Sequence, residues 1–140
     1  MPCVLRLPPE VRGELQVQAA AGYPAEACGL LLGVLDAAQC RVVAQRPARN
    51  VNRERAGDRF EVDPLDYIAA EQAASAAGMA VVGVWHSHPD HPARPSETDR
   101  ALAWPGWSYV ILSVSAGQVV DLRSWRLAGK DFYEEEVRHG

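Results

Sequence analysis

The sequence predicts a mixed α/β (α+β) fold in which helices flank a largely antiparallel sheet. Two observations lead to this class: strand and helix patterns alternate in the first half of the chain, and strand patterns dominate after residue 108. The 140 residues are enough to bury one sizeable core. We therefore expect a single domain over residues 1–140.

Proline and hydrophobic spacing define the elements of the first half. The proline pair at 8–9 opens a helix in which Val11, Leu15 and Ala19 recur at helical spacing. Asp63 is the expected N-cap of a second helix, which Gly78 ends. The apolar face predicted for this second helix carries Leu65, Ile68, Ala69, Gln72, Ala73 and Ala76. Strands are predicted at 5–7, 27–35, 40–45 and 59–62.

The second half begins with a hydrophobic strand from Met79 to Trp85, which leads directly into two histidines. A proline-rich loop follows, and we expect a short helix to begin at Ser96. Three closing strands are predicted at 108–114, 119–127 and 132–137, with Ala-Gly turns between them.

Composition argues against several classes of function. The chain has 14 Lys and Arg against 18 Asp and Glu, a net charge of −4, and its basic residues are scattered, so no basic surface for nucleic acid or a membrane is predicted. Its apolar runs are too short to span a bilayer, and residues 1–9 do not resemble a secretory signal. Three cysteines at unrelated spacings argue against a disulfide framework. We expect a cytoplasmic protein.

The most informative motif is His86-Ser87-His88, followed by Ser96 and Asp99. Histidines at i and i+2 of a strand share one face, and residues at i and i+3 share one face of a helical turn. Two imidazole nitrogens, one carboxylate oxygen and a water make a four-coordinate zinc site with an exchangeable position, which metal-dependent hydrolysis requires. The motif therefore predicts a zinc site at His86, His88 and Asp99.

This spacing of His-Ser-His, Ser and Asp resembles the signature of the JAMM (MPN+) metallopeptidases, in their compact stand-alone prokaryotic form. Three further segments look like parts of that family: 24–33 like its glutamate segment, 58–63 like its central strand and 81–86 like its metal strand. The resemblance implies a single MPN-like domain. It also implies that Glu26 is the general base and then the general acid, and that Ser96 donates a hydrogen bond to the oxyanion.

Each motif residue also has a plainer interpretation. His86 and His88 can also be interpreted as solvated surface histidines, although the apolar strand before them favours a metal site. Ser96 with an acid three residues later is typical of a helix N-cap, a role that is compatible with catalysis. His91 is an alternative third imidazole ligand, but prolines on both sides of it favour a solvent-facing position. Cys28 is interpreted as a small packed hydrophobe rather than a reactive thiolate.

The resemblance implies a zinc-dependent peptidase or isopeptidase that cuts after the C-terminal Gly-Gly of a ubiquitin-like or sulfur-carrier protein. The segment Arg59–Val62 is our candidate edge for binding that tail as an added strand. Two alternatives remain open at this point: a non-catalytic scaffold of the same fold, which typically lacks the metal ligands, and a zinc amidohydrolase acting on small amides.

Overall fold

The computed structural model describes residues 4–36, 39–52, 61–97, 99 and 106–140. Most of the predicted strand 59–62 and most of the helix expected from Ser96 therefore lie outside the described residues. The elements, in chain order, are β1 (Val4–Arg6), α1 (Pro9–Gly22), β2 (Cys28–Asp36), β3 (Gln39–Ala48), α2 (Pro64–Ala76), β4 (Ala80–Pro89), β5 (Ser108–Ser115), β6 (Gln118–Ala128) and β7 (Asp131–Arg138).

The strands form one mixed sheet, which confirms the predicted fold class. Of the seven pairings between described strands, β2–β3, β2–β4, β5–β6 and β6–β7 are antiparallel. The other three, β1–β3, β1–β7 and β4–β5, are parallel. The strand order β1-β3-β2-β4-β5-β6-β7 closes the sheet into a barrel. Closure depends on the short strand β1, which pairs with β3 on one side and β7 on the other.

Helix α1 contributes the predicted face to the core. Val11, Leu15 and Ala19 are buried and pack with Trp85 of β4 and Val110 of β5 in the main hydrophobic cluster. Burial of this apolar face is what holds the helix on the sheet, because isolated helices of this length are marginal in water. Neither described helix has the length and hydropathy of a membrane-spanning segment.

The predicted apolar face of α2 is wrong for its large residues, although Ala73 of that face does pack against the buried cluster. Leu65 is 69% exposed and Ile68 is 48% exposed, whereas Ala70 and Ala74 are fully buried against β2 and β4. Small side chains let the helix axis lie close to the sheet, so α2 uses its alanines for contact and turns its larger aliphatic residues outward. The predicted N-cap is confirmed, since Asp63 Oδ1 accepts a hydrogen bond from the Leu65 N–H at 2.8 Å.

Strand β4 is longer than predicted, and this positions the site. It continues past Trp85 to Pro89, so both histidines are strand residues, as the i, i+2 argument requires. Gly29 of β2 lies opposite Trp85, and a Cβ atom there would be 2.3 Å from Trp85 Nε1. Only glycine allows the two strands and the indole to pack this closely.

Candidate metal centre

Strand β4 carries both predicted histidines on one buried face. Because side chains alternate along a strand, Val84, His86 and His88 share a face of the sheet. The register with β2 places Cys28 opposite His86. Glu26 precedes Cys28 by two residues and so lies at the same end of the sheet. The side chains of Glu26 and the two histidines are at most 8% exposed.

Four of the five predicted site residues converge at this end of β4. One ligand atom each from Glu26, His86 and His88 lies within 4.8 Å of the other two. The Oδ2 atom of Asp99 is 3.1 Å from His88 Nε2 and 3.8 Å from His86 Nε2. On the His86 ring, the other nitrogen, Nδ1, lies 3.5 Å from Glu26 Oε1. The imidazole pair is therefore flanked by two carboxylates.

The hydrogen bonds of His88 define which nitrogen faces the cluster. Its Nδ1 donates to the Pro92 carbonyl oxygen at 2.9 Å, which leaves Nε2 directed at Asp99. Burial lowers the pKa of His88, but the hydrogen bond to Asp99 and the Pro92 carbonyl outweigh burial, so its pKa is raised. When Nε2 carries no hydrogen, its lone pair and the Asp99 carboxylate are arranged to bind one cation.

Asp99 is held by a reciprocal pair of hydrogen bonds with Ser96. The Ser96 N–H donates to Asp99 Oδ2 at 2.8 Å, and the Asp99 N–H donates to Ser96 Oγ at 3.0 Å. Burial raises the pKa of Asp99, but His88, His86 and the Ser96 amide together lower its pKa to about 2. The N-cap interpretation of Ser96 is thus confirmed, and the same contacts fix an ionised carboxylate beside the histidines.

Two residues that the sequence analysis did not identify attach Glu26 to this arrangement. The Ala27 N–H donates to Ser87 Oγ at 2.8 Å, and the Ser87 N–H donates to the Ala27 carbonyl at 2.9 Å. The Asn50 side-chain amide donates to the Glu26 carbonyl at 3.0 Å. A serine between two buried histidines must itself find a hydrogen-bond partner, and this signal was present in the sequence. Asn50 gave no such signal, because the polar sequence of residues 50–58 predicts an exposed loop.

The chemistry of the cluster fits a metal ion. Within the part of the chain that the structure describes, Glu26 Oε1 is buried and accepts no hydrogen bond. A buried carboxylate oxygen without a donor is costly, and a neighbouring cation removes that cost. Imidazole nitrogens and carboxylate oxygens are the donors that zinc takes in catalytic sites. His86, His88 and Asp99 would hold the ion, with Glu26 adjacent.

The two alternative ligands receive no support. His91 is exposed to solvent, as expected from the prolines beside it. Cys28 is buried, and burial followed by the negative charges of Glu26 and Asp66 raises the pKa of its thiol to about 12. The Cys28 thiol donates to the Ala48 carbonyl oxygen at 3.7 Å, which agrees with its interpretation as a small packed residue.

Comparison with known proteins assigns the family. Residues 8–128 match the family described as prokaryotic homologs of the JAB domain. The chain belongs to this family, which confirms the predicted resemblance to the JAMM (MPN+) metallopeptidases.

Named relatives and a solved structure agree with this assignment. The chain is 43% identical to the desampylase of Haloferax volcanii over 96 residues, which are 68% of this chain and 67% of that protein. It is 32% identical to the CysO-cysteine peptidase of Mycobacterium bovis over 119 residues, 82% and 77% of the two proteins. The solution structure of protein DSY2949 from Desulfitobacterium hafniense superposes with a TM-score of 0.84 at 31% identity, covering 99% of this chain and 92% of that one. Both named relatives are hydrolases.

Proposed function

We propose that this protein is a zinc-dependent peptidase or isopeptidase that hydrolyses the bond after the C-terminal Gly-Gly of a ubiquitin-like or sulfur-carrier protein. The observation that carries the proposal is the convergence of Glu26, His86, His88 and Asp99 in one buried cluster. Relatives named desampylase and CysO-cysteine peptidase support a protein tail rather than a small amide as substrate.

Each residue has a separate role in the proposed hydrolysis. His86, His88 and Asp99 hold the metal, which when bound supplies Lewis-acid polarisation of the scissile carbonyl and acidifies a water ligand. Glu26 takes a proton from the attacking water and later gives it to the leaving amine. Its position supports this role, because one carboxylate oxygen of Glu26 lies within 4.8 Å of a ring nitrogen of each histidine, close enough to meet a water on an ion that the histidines hold.

Ser96 stabilises the oxyanion that develops on the attacked carbonyl. Its Oγ already accepts the Asp99 N–H, so a lone pair is used in the cap and the hydroxyl hydrogen remains available to donate. Ser96 itself is exposed, which leaves it accessible to a substrate that approaches the cluster from solvent.

The backbone around Val62 supports binding of an extended tail. Val62 pairs with Asn50 in an isolated antiparallel bridge, in which the Val51 N–H donates to Glu61 and the Asp63 N–H donates to Arg49. In this geometry the N–H and C=O of Val62 point to the opposite side, where a further strand can add. Glycines suit the part of the tail nearest the metal, because side chains there would clash with the enclosed site.

Replacing Glu26 by glutamine tests the proposed roles. Glu26→Gln retains shape but removes the proton acceptor, so we expect stoichiometric zinc and a loss of turnover by at least about 100-fold. The substrate is a ubiquitin-fold carrier that ends in Gly-Gly and is fused to a short peptide, incubated with and without a chelator. The matched control is Glu71→Gln, an exposed change on α2, which should leave turnover unchanged.

Three results would contradict the proposal. Normal turnover of Glu26→Gln would exclude this residue as the base. An intact carrier fusion after incubation with the zinc-loaded parent would count against the proposed substrate class. Purification of the parent without stoichiometric zinc would instead favour a non-catalytic scaffold.

A further inference from the structure

A tyrosine–aspartate contact joins the two chain segments that carry the candidate site. The hydroxyl of Tyr23 lies 3.0 Å and 2.8 Å from the two carboxylate oxygens of Asp90 and donates to them. Tyr23 comes three residues before Glu26, and Asp90 comes two residues after His88. The contact therefore links the segment of the proposed base to the segment of the proposed metal ligands.

The position of the contact complements the strand pairing. Glu26 precedes the first residue of β2, so the β2–β4 ladder does not fix it directly. On one side of Glu26 the Ala27–Ser87 hydrogen bonds tie its segment to β4. On the other side of Glu26, the Tyr23–Asp90 hydrogen bonds tie the segment before Glu26 to the segment after His88. Glu26 is thus held between two attachments, one to Ser87 within β4 and one to Asp90, which directly follows β4.

The conformation of Asp90 points to a specific requirement at this position. Its φ is +60°, in the left-handed region that Asp and Asn tolerate better than most residues but that glycine adopts most easily. Its N–H donates to the Val114 carbonyl at 2.7 Å, which anchors the residue to β5. Backbone preference alone would favour glycine here, whereas a carboxylate is needed to accept the Tyr23 hydroxyl.

We propose that Tyr23 and Asp90 are positioning residues that hold Glu26 at a fixed place relative to the histidine pair. This Tyr23–Asp90 latch rests on the function proposed above, in which Glu26 must meet a water beside the metal. A misplacement of a catalytic group by about 1 Å is enough to lower turnover by up to about 100-fold. The latch acts through Glu26 and makes no contact with substrate in this account.

Four variants of the zinc-loaded enzyme test the latch with the carrier fusion as substrate. Tyr23→Phe keeps the ring that packs on the main core and removes the hydroxyl. Asp90→Gly removes the acceptor and suits the backbone, and Asp90→Asn keeps both an amide oxygen acceptor and tolerance of φ +60°. The double variant Tyr23→Phe/Asp90→Gly completes a cycle. Tyr67→Phe is the matched control, because it removes a similar bond, to Glu71 at 2.7 Å, that lies within α2.

We expect Tyr23→Phe and Asp90→Gly each to lower kcat about tenfold, with KM changed less than about twofold. The double variant should be no more impaired than Tyr23→Phe, because that change already removes the Tyr23–Asp90 bond, and Asp90→Asn should retain at least about half of kcat. Asp90→Gly loses the Tyr23 hydrogen bond but relieves the positive φ, so its melting temperature should stay close to that of the parent. A tenfold loss of kcat at a nearly unchanged melting temperature is not expected of a contact that only stabilises the fold.

The latch is overturned if Tyr23→Phe keeps kcat within twofold of the parent, if Asp90→Asn is as impaired as Asp90→Gly, or if the effects of the single variants multiply. Hydrogen exchange of the metal-free protein gives a readout that needs no activity. Faster exchange of the amides of residues 25–26 and 91 in Tyr23→Phe supports the latch, and unchanged exchange contradicts it. If the parent does not cleave the fusion, the proposed function fails and the exchange result alone decides on the latch.

Discussion

Replacing Ser87 by alanine tests whether the side chain between the two histidines attaches Glu26 to the sheet. Ser87 is fully buried, and its Oγ accepts the Ala27 N–H at 2.8 Å. Alanine fits the same space but leaves that partly buried N–H without this acceptor. A donor that loses its partner costs about 1–3 kcal/mol when it is buried, so a value toward the lower end is expected here.

This free energy converts into a measurable change in melting temperature. At about 2.1 cal/mol/K per residue, unfolding of 140 residues carries an entropy of about 0.3 kcal/mol/K, so Ser87→Ala should lower Tm by about 3–10 °C. Calorimetry of the metal-free proteins separates this effect from metal binding. Turnover of the zinc-loaded variant should also fall, with zinc retained, because the Glu26 segment loses one of its attachments.

The matched control for this variant is Ser75→Ala on the exposed side of α2, which should change stability by less than about 0.5 kcal/mol. Equal melting temperatures of Ser87→Ala and Ser75→Ala would refute the assignment of a stabilising role to the Ser87 hydroxyl. A lower Tm with full turnover would refute the link between this hydrogen bond and the position of Glu26.

Two further predictions concern the core and the thiol. Gly29→Ala should destabilise the protein by about 1–3 kcal/mol in urea unfolding, because its Cβ would lie 2.3 Å from Trp85 Nε1 and 2.6 Å from the Arg46 carbonyl oxygen. Gly13→Ala, in open space on α1, should instead stabilise by about 0.5–1 kcal/mol, and equal effects of the two changes would contradict the packing argument. In a Cys3→Ser background, Cys28 should resist thiol reagents at pH 8 until the protein unfolds, because its pKa is raised to about 12. Rapid labelling of Cys28 in the folded protein would contradict a buried thiol with a raised pKa.

Much of the site could be predicted because its signal is local in sequence. The i, i+2 histidines at the end of an apolar strand place both rings on one face, and a serine three residues before an acid predicts the cap that the Ser96–Asp99 hydrogen bonds form. Glu26 is different, since nothing around it indicates a partner sixty residues away. It was found through the family resemblance.

The features that could not be predicted depend on contacts between distant segments. Closure of the barrel requires β1 to pair with β7 at the other end of the chain, which no local pattern encodes. The buried face of α2 was misjudged because hydrophobicity favoured Leu65 and Ile68, whereas close packing on β2 and β4 favours the smaller Ala70 and Ala74. The supporting role of Asn50 depends on where the chain after β3 crosses the Glu26 segment.

Calorimetric titration of the chelator-stripped protein with zinc most directly tests whether two imidazoles and a carboxylate form a metal site. We predict saturable binding of one ion per chain, lost or weakened at least about 100-fold in His88→Ala and in Asp99→Ala but retained in Glu26→Gln. Absence of zinc binding to the parent, or equal affinity in all three variants, would contradict the proposed metal centre.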